Sequence, residues 1–250
     1  MPVWIVVLVA LLVIAMLVVA ILELPPQHRF IDSAGEEDDR KLKQWLAKGR
    51  DVNGPGLLGL NALGVAVTEA KAGNVALLLQ AGADPNTLSM KALPLQVAVE
   101  NDDVEIARLL LKSGADLNRF GLFGTPLEDA VNRGRIKLLE LFAEFGADFN
   151  AKTKDGDPLL VRLLFVIAGT RDLEAREGLR QSVRFLLDHG ANPNARSAKD
   201  IPAVMAALED PISLRMLVDA GAITQASFQG ADLEPLIENA LAGGEAGSKA

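Results

Sequence analysis

Cysteine is absent from the 250 residues, and histidine nearly so, with one at position 28 and one at 189. The first absence excludes disulfides, a thiol nucleophile and thiolate-held zinc or iron–sulfur centres. Two separated histidines leave no histidine metal cluster either. Aromatic residues are scarce as well: nine Phe, two Trp and no Tyr. A sandwich draws on aromatic and β-branched residues, so this composition, rich in Ala, Leu and Gly, suits helix-on-helix packing with frequent turns. The net charge of −8 comes without a long basic stripe. Phosphate contacts need clustered Lys and Arg, so nucleic acid is not an expected partner. No metal and no cofactor is expected.

What is present begins with residues 3–22, twenty consecutive apolar residues. As a helix they would span about 30 Å, the thickness of a bilayer's hydrocarbon core. Trp4 sits near one end, and Pro25-Pro26 would stop the helix at the other. A cleaved signal peptide normally opens on Lys or Arg, which this segment lacks, and Val18-Val19-Ala20 makes a poor cleavage site. The expectation is an uncleaved, single-pass transmembrane anchor at 3–22, followed by a juxtamembrane linker at 23–32. The two-residue amino tail favours a repeat region outside the cytoplasm, on the periplasmic side in a bacterium.

The rest of the chain repeats itself. Gly49, Gly82, Gly114, Gly146, Gly190 and Gly221 each close an apolar helical run, at separations of 33, 32, 32, 44 and 31. Four of them head near-identical phrases: Gly82-Ala83-Asp84-Pro85-Asn86, Gly114-Ala115-Asp116-Leu117-Asn118, Gly146-Ala147-Asp148-Phe149-Asn150 and Gly190-Ala191-Asn192-Pro193-Asn194. Such a period marks a solenoid, in which one unit cannot bury its apolar face without neighbours. Gly114 suits a left-handed helix end, and Asp116 and Asn118 suit the tight turn that follows. Thr125 is placed to cap the next helix, and Pro126 to occupy its first position.

The phrase Thr125-Pro126-Leu127, then Ala130, Gly134, Leu138-Leu139 and Gly146-Ala147-Asp148, resembles the ankyrin repeat. Sister phrases start at Asn61-Ala62-Leu63, Leu93-Pro94-Leu95, Asp157-Pro158-Leu159 and Ile201-Pro202-Ala203. The resemblance runs from about residue 40 to 221. It implies an all-α fold: an ankyrin-repeat solenoid of stacked antiparallel helix pairs, preceded here by one transmembrane helix. The His usual after Pro-Leu is missing, replaced by Gly64, Gln96, Glu128 and Leu160, so the array is divergent.

The repeat domain is expected over 33–241. Ser33-Ala34-Gly35-Glu36 reads as a capping box opening an N-terminal half-unit, and Leu233, Leu236, Ile237, Ala240 and Leu241 as a C-terminal capping stripe. A tail at 242–250 should be disordered. The 44-residue spacing holds twelve residues more than its predecessors. They fall around 168–178, as a solvated loop or a helical extension.

No constellation supports catalysis. His189 reads as a helix-end residue. Asp84, Asp116 and Asp148 are too far apart in a rising solenoid to share a metal or a glycosidic bond, and act as turn formers. Binding is another matter, because loop tips and inner-helix ends can vary without harming the core. The candidate partner-binding residues are Met90, Arg119, Phe120, Leu122, Phe123, Lys152 and Lys154 on the tips, with Glu100, Asn101 and Arg133 beside them. An aromatic and basic surface of this kind anchors a partner's apolar side chains inside a polar rim. The expected function is a membrane-tethered protein–protein interaction module. The alternatives are an architectural membrane adaptor, or an immunity or inhibitor-type protein.

Overall fold

The computed structural model describes residues 26–121, 124–223, 227–228 and 231–247. The chain divides into two compact units between Pro94 and Leu95. The first contains α1 (Pro26–Ala34), α2 (Arg40–Ala47), a 3-10 turn (Leu57–Gly59), α3 (Ala62–Thr68) and α4 (Ala72–Gln80). Helix α1 packs on α2 and α3, and α3 on α4. Phe30, Ile31 and Ala34 of α1 are buried, as are Leu42, Leu63, Ala66, Val67, Val75 and Leu78.

Residues 26–32 are therefore helix, and the linker expected there is corrected. Pro26 opens α1, a position where its missing N–H leaves no bond unmade. Ser33 is not a cap: it lies at the end of α1, and its Oγ donates 2.6 Å to the Phe30 carbonyl. The opening of the array is thus a full helix pair instead of a half-unit.

The second unit contains α5 (Pro94–Glu100), α6 (Val104–Lys112), α7 (Pro126–Asn132), α8 (Ile136–Glu144), α9 (Leu159–Gly169), α10 (Leu173–Asp188), α11 (Ala203–Ala206), α12 (Pro211–Asp219) and α13 (Glu234–Gly247). Inner helices α7, α9 and α11 stack in order, and so do outer helices α6, α8, α10 and α12. Between them lie Leu127, Ala130, Leu138, Phe142, Leu160, Leu164, Val183 and Leu186, all buried. A short antiparallel hairpin, β1 (Ser227–Phe228) and β2 (Ala231–Asp232), precedes α13. Helix α13 packs on α12 with Leu233 and Ile237 buried. It runs on through Gly247, into the stretch expected to be a disordered tail, and Leu236 is exposed instead of joining the buried stripe.

The glycine period has a backbone cause. All six period glycines have φ between +68° and +91°, the left-handed geometry that ends a helix and that only glycine adopts without strain. From Gly82 on, the alanine or isosteric position that follows closes the end: Ala83, Ala115, Ala147, Ala191 and Ala222 each donate to a carbonyl five residues back, at 2.9–3.0 Å.

The long spacing is absorbed by helix. Helix α9 has eleven residues against seven in α7, and α10 has sixteen against nine in α8. Residues 168–178 comprise the end of α9, a short connection and the first turns of α10. Arg176 closes the connection by donating through Nε to the Thr170 carbonyl at 3.1 Å. At Gly178 the helix passes so close to the α7–α8 turn that a Cβ on Gly134 would lie 2.9 Å from the Gly178 carbonyl oxygen.

The membrane-anchored architecture is corrected. Among the described residues no helix is long and apolar enough to cross a membrane, and residues 3–22, on which the anchor was expected, lie outside the described residues. The architecture that stands is the all-α repeat array. Membrane tethering, the adaptor role and the placement outside the cytoplasm have no support in it.

Candidate functional site

Each helix pair hands over to the next through a loop whose turn is set by a carboxylate or amide. The backbone N–H of Asn53, Asn86, Asn118, Asn150 and Asn194 donates to Oδ1 of the residue two before it, at 2.8–3.0 Å. The repeated aspartates are turn formers, spent on their own backbone. The asparagines have a second role that their local sequence does not announce. Asn53 donates from Nδ2 to the Gly82 carbonyl at 3.0 Å, and its Oδ1 accepts from the Asp84 N–H at 2.9 Å. Asn150 bridges Gly190 and Asn192 in the same way, and Asn194 bridges Gly221 and Ile223. One side chain thus satisfies a donor and an acceptor of the next turn, and holds the loops at a fixed spacing.

In the first unit two loops touch at their tips, where the Met90 N–H donates to the Gly59 carbonyl at 3.2 Å. Four large apolar side chains stand in solvent there: Leu57 at 58% exposure, Leu58 at 81%, Leu88 at 43% and Met90 at 58%. Leu58, Met90 and Lys91 hold φ of +57°, +50° and +71°, a region non-glycine residues rarely occupy unless the surroundings impose it. Exposed apolar groups on strained backbone are a familiar mark of contact surfaces. Met90 was legible as a tip residue; Leu57 and Leu58 were not, because their glycine-rich stretch drew attention only as a failed phosphate loop.

In the second unit Arg119 and Phe120 are exposed, Phe120 at 48%. Leu122 and Phe123 lie outside the described residues. The loop behind Phe120 is held by Gln96, which takes the position where the usual His is missing. Its Nε2 donates to the Gly124 carbonyl at 3.0 Å, and a Cβ on Gly121 would lie 1.9 Å from its side-chain oxygen. Lys152 and Lys154 are exposed on the following tip. Glu100 and Arg133, from the ends of α5 and α7, face each other at 3.8 Å, and Arg133 also holds Asp129 at 2.7 Å. Asn101 is exposed beside them. The inner-helix candidates are thus brought together, while the tip candidates are spread along successive loops.

Glu128, also at a missing-His position, is only 8% exposed. Burial raises its carboxyl above the ordinary range; the Thr125 backbone N–H and the Arg162 charge act against that, and Asp155 and Asp129 add to it. Thr125 caps α7, its Oγ1 accepting from the Glu128 N–H at 3.1 Å. Nearby, Asp155, Asp157, Arg162, Phe165, Ser197, Ala198, Lys199 and Ile201 enclose a cavity of about 480 Å³ between α9 and two loop tips. Asp157 fixes its rim by accepting from the Ala198 N–H at 2.8 Å. Arg162 and Phe165 were missed in the sequence because they sit inside an unusually long apolar run that looks like core throughout.

His189 stacks on Phe185 with ring centroids 3.9 Å apart, and its Nδ1 lies 2.8 Å from the Phe185 carbonyl. It is a packing residue. Among the described residues no group of three or more His, Asp or Glu is placed to hold a metal.

A family model described as ankyrin repeats matches this chain over residues 31–121 and 63–153. Solved structures agree over a longer stretch. An ankyrin repeat domain from Acinetobacter baumannii superimposes with a TM-score of 0.68 at 25% identity, covering 78% of this chain and 98% of its own. The ankyrin repeat domain of Bcl-3, a member of the IkappaB protein family, gives 0.71 at 24% identity, covering 86% and 96%. The human ASB11 ankyrin repeat domain gives 0.63 at 20%, covering 84% and 96%. No curated protein sequence matches the chain. Residues 31–153 thus match ankyrin repeats, and the helix pairs that continue the array share the fold of those solved structures.

Proposed function

We propose that the chain is a protein-binding module whose loop tips and inner-helix ends carry the contact. The chain is not an enzyme: the ankyrin repeats it is built from are non-catalytic scaffolds. The observation that carries the proposal is the pairing of exposed apolar side chains with fixed backbone. Leu57, Leu58, Leu88, Met90 and Phe120 stand in solvent, while Met90 N–H, Gln96 and Asn53 tie their loops down. A side chain presented on preorganised backbone loses little entropy on binding, so it returns more of its buried area as affinity. In the second unit, Arg119 beside Phe120 and Lys152 and Lys154 on the following tip add polar groups, and Glu100, Asn101 and Arg133 a charged patch at the ends of the inner helices.

The test is affinity capture on the immobilised chain, repeated after truncating Arg119 and Phe120 together, and Leu88 and Met90 together. Loss of the captured protein from either pair, at an unchanged melting temperature, supports the proposal. Undiminished capture by both would exclude the tips as the binding surface.

A further inference from the structure

The cavity beside α9 differs from the apolar tips in chemistry, and the difference points to an occupant. Arg162 and Phe165 stand three residues apart on α9, so they share one face; Lys199 and Ile201 come from the opposing tip. Five of the second unit's arginines are held in ion pairs: Arg108 with Glu144, Arg133 with Asp129, Arg135 with Asp102, Arg180 with Asp210 and Arg196 with Asp200. Arg162 and Lys199 are exposed and form no ion pair with a described residue, and the same holds for Lys152 and Lys154 on the adjoining tip. Together with Arg196 these make five cations on the two tips and the α9 face, against the three carboxylates Asp155, Asp157 and Asp200 and the buried Glu128 behind them. In a chain of net charge −8 this is a local cationic surface.

We infer that this cavity takes an acidic segment of a partner protein, with a carboxylate held by Arg162 and Lys199 and an apolar side chain seated against Phe165 and Ile201. The inference rests on the protein-binding reading and names the chemistry of its partner. A guanidinium fork matches a carboxylate in two bonds, which favours Asp or Glu over a neutral amide. A continuous nucleic-acid backbone fits less well. A single apolar slot offers no run of stacking surfaces.

The experiment uses the full-length chain and short capped peptides in which one Leu or Phe is flanked by Glu, by Gln or by Lys, read by fluorescence anisotropy. The acidic set is expected to bind, and Arg162→Glu combined with Lys199→Glu to weaken it about tenfold or more. Lys112→Glu combined with Lys137→Glu, the same charge change on outer helices, is expected to leave binding within about twofold. Equal binding of the Gln or Lys peptides would overturn the acidic occupant while leaving a peptide-binding groove in place. Absence of peptide binding, in a protein that still captures its partner through the tips, would overturn the inference and spare the proposed function. Tighter binding of a single-stranded oligonucleotide, lost in the Arg162 and Lys199 variant, would assign the surface to nucleic acid instead.

Discussion

Among the described ion pairs, Arg180 and Asp210 form the one that water barely reaches, with side chains 14% and 4% exposed. Arg180 donates through Nε to Asp210 at 3.1 Å, and Asp210 also accepts from the Ser213 N–H at 3.1 Å, which caps α12. Burial alone would push the Asp210 carboxyl up, but Arg180 and Ser213 outweigh it and hold the group below its ordinary value. Removing one partner strands the other, so Arg180→Ala should cost about 3 kcal/mol in urea unfolding at pH 7. A carboxyl with a depressed folded value stabilises above its unfolded value and stops doing so as pH falls through the folded one. The deficit of the variant should therefore shrink in acid. A deficit that stays constant with pH would contradict this account. Glu128 has the opposite sign. Its folded value is raised, so its contribution is present in acid and lost as pH rises through that value. Glu128→Gln should be more stable than wild type at neutral pH, with the difference vanishing in acid; matching pH–stability profiles would refute it. At Gly134, Ala would meet both a φ of +66° and the Gly178 carbonyl, and a loss of about 2 kcal/mol is expected from thermal unfolding.

At the scale of elements, the repeat was legible because helix ends speak in glycine. A left-handed end tolerates little else, so the phrase recurs at each unit and survives divergence elsewhere. The first helix was not legible for the opposite reason. Phe30, Ile31 and Ala34 are too few to show a period, and the two prolines before them look like a stop, although Pro26 in fact begins α1. The Ser33 to Glu36 spacing imitated a cap because a cap is defined by backbone direction as much as by residue type. The asparagine bridges were hidden too, since an Asn after Asp serves a local turn equally well. Leu110 lies wholly buried in α6, whereas Leu241 is half-buried near the end of the array. Leu110→Ala should thus cost about 2–5 kcal/mol and Leu241→Ala clearly less. Equal losses would mean that α13 is packed as deeply as an internal helix.

For the whole molecule, the sequence alone led to the ankyrin-repeat fold, through five phrases in phase, and to a membrane tether that the described residues do not support. It was less informative about which surface binds. Of the candidates, Met90, Arg119, Phe120, Lys152 and Lys154 are exposed on tips. Glu100 and Arg133 are partly committed to each other, and the α9 cavity went unnoticed inside an apolar run. Long apolar character can mean a deep core or a lengthened helix whose outer turn lines a groove, and only packing separates the two. The central claim is that partners engage the loop tips and the inner-helix side. It is tested most directly by hydrogen exchange of the chain with and without its captured partner. The account predicts added protection at 88–92, 119–121 and 152–158 and along α7 and α9, with outer helices α6, α8 and α10 unchanged. Protection confined to those outer helices would contradict it.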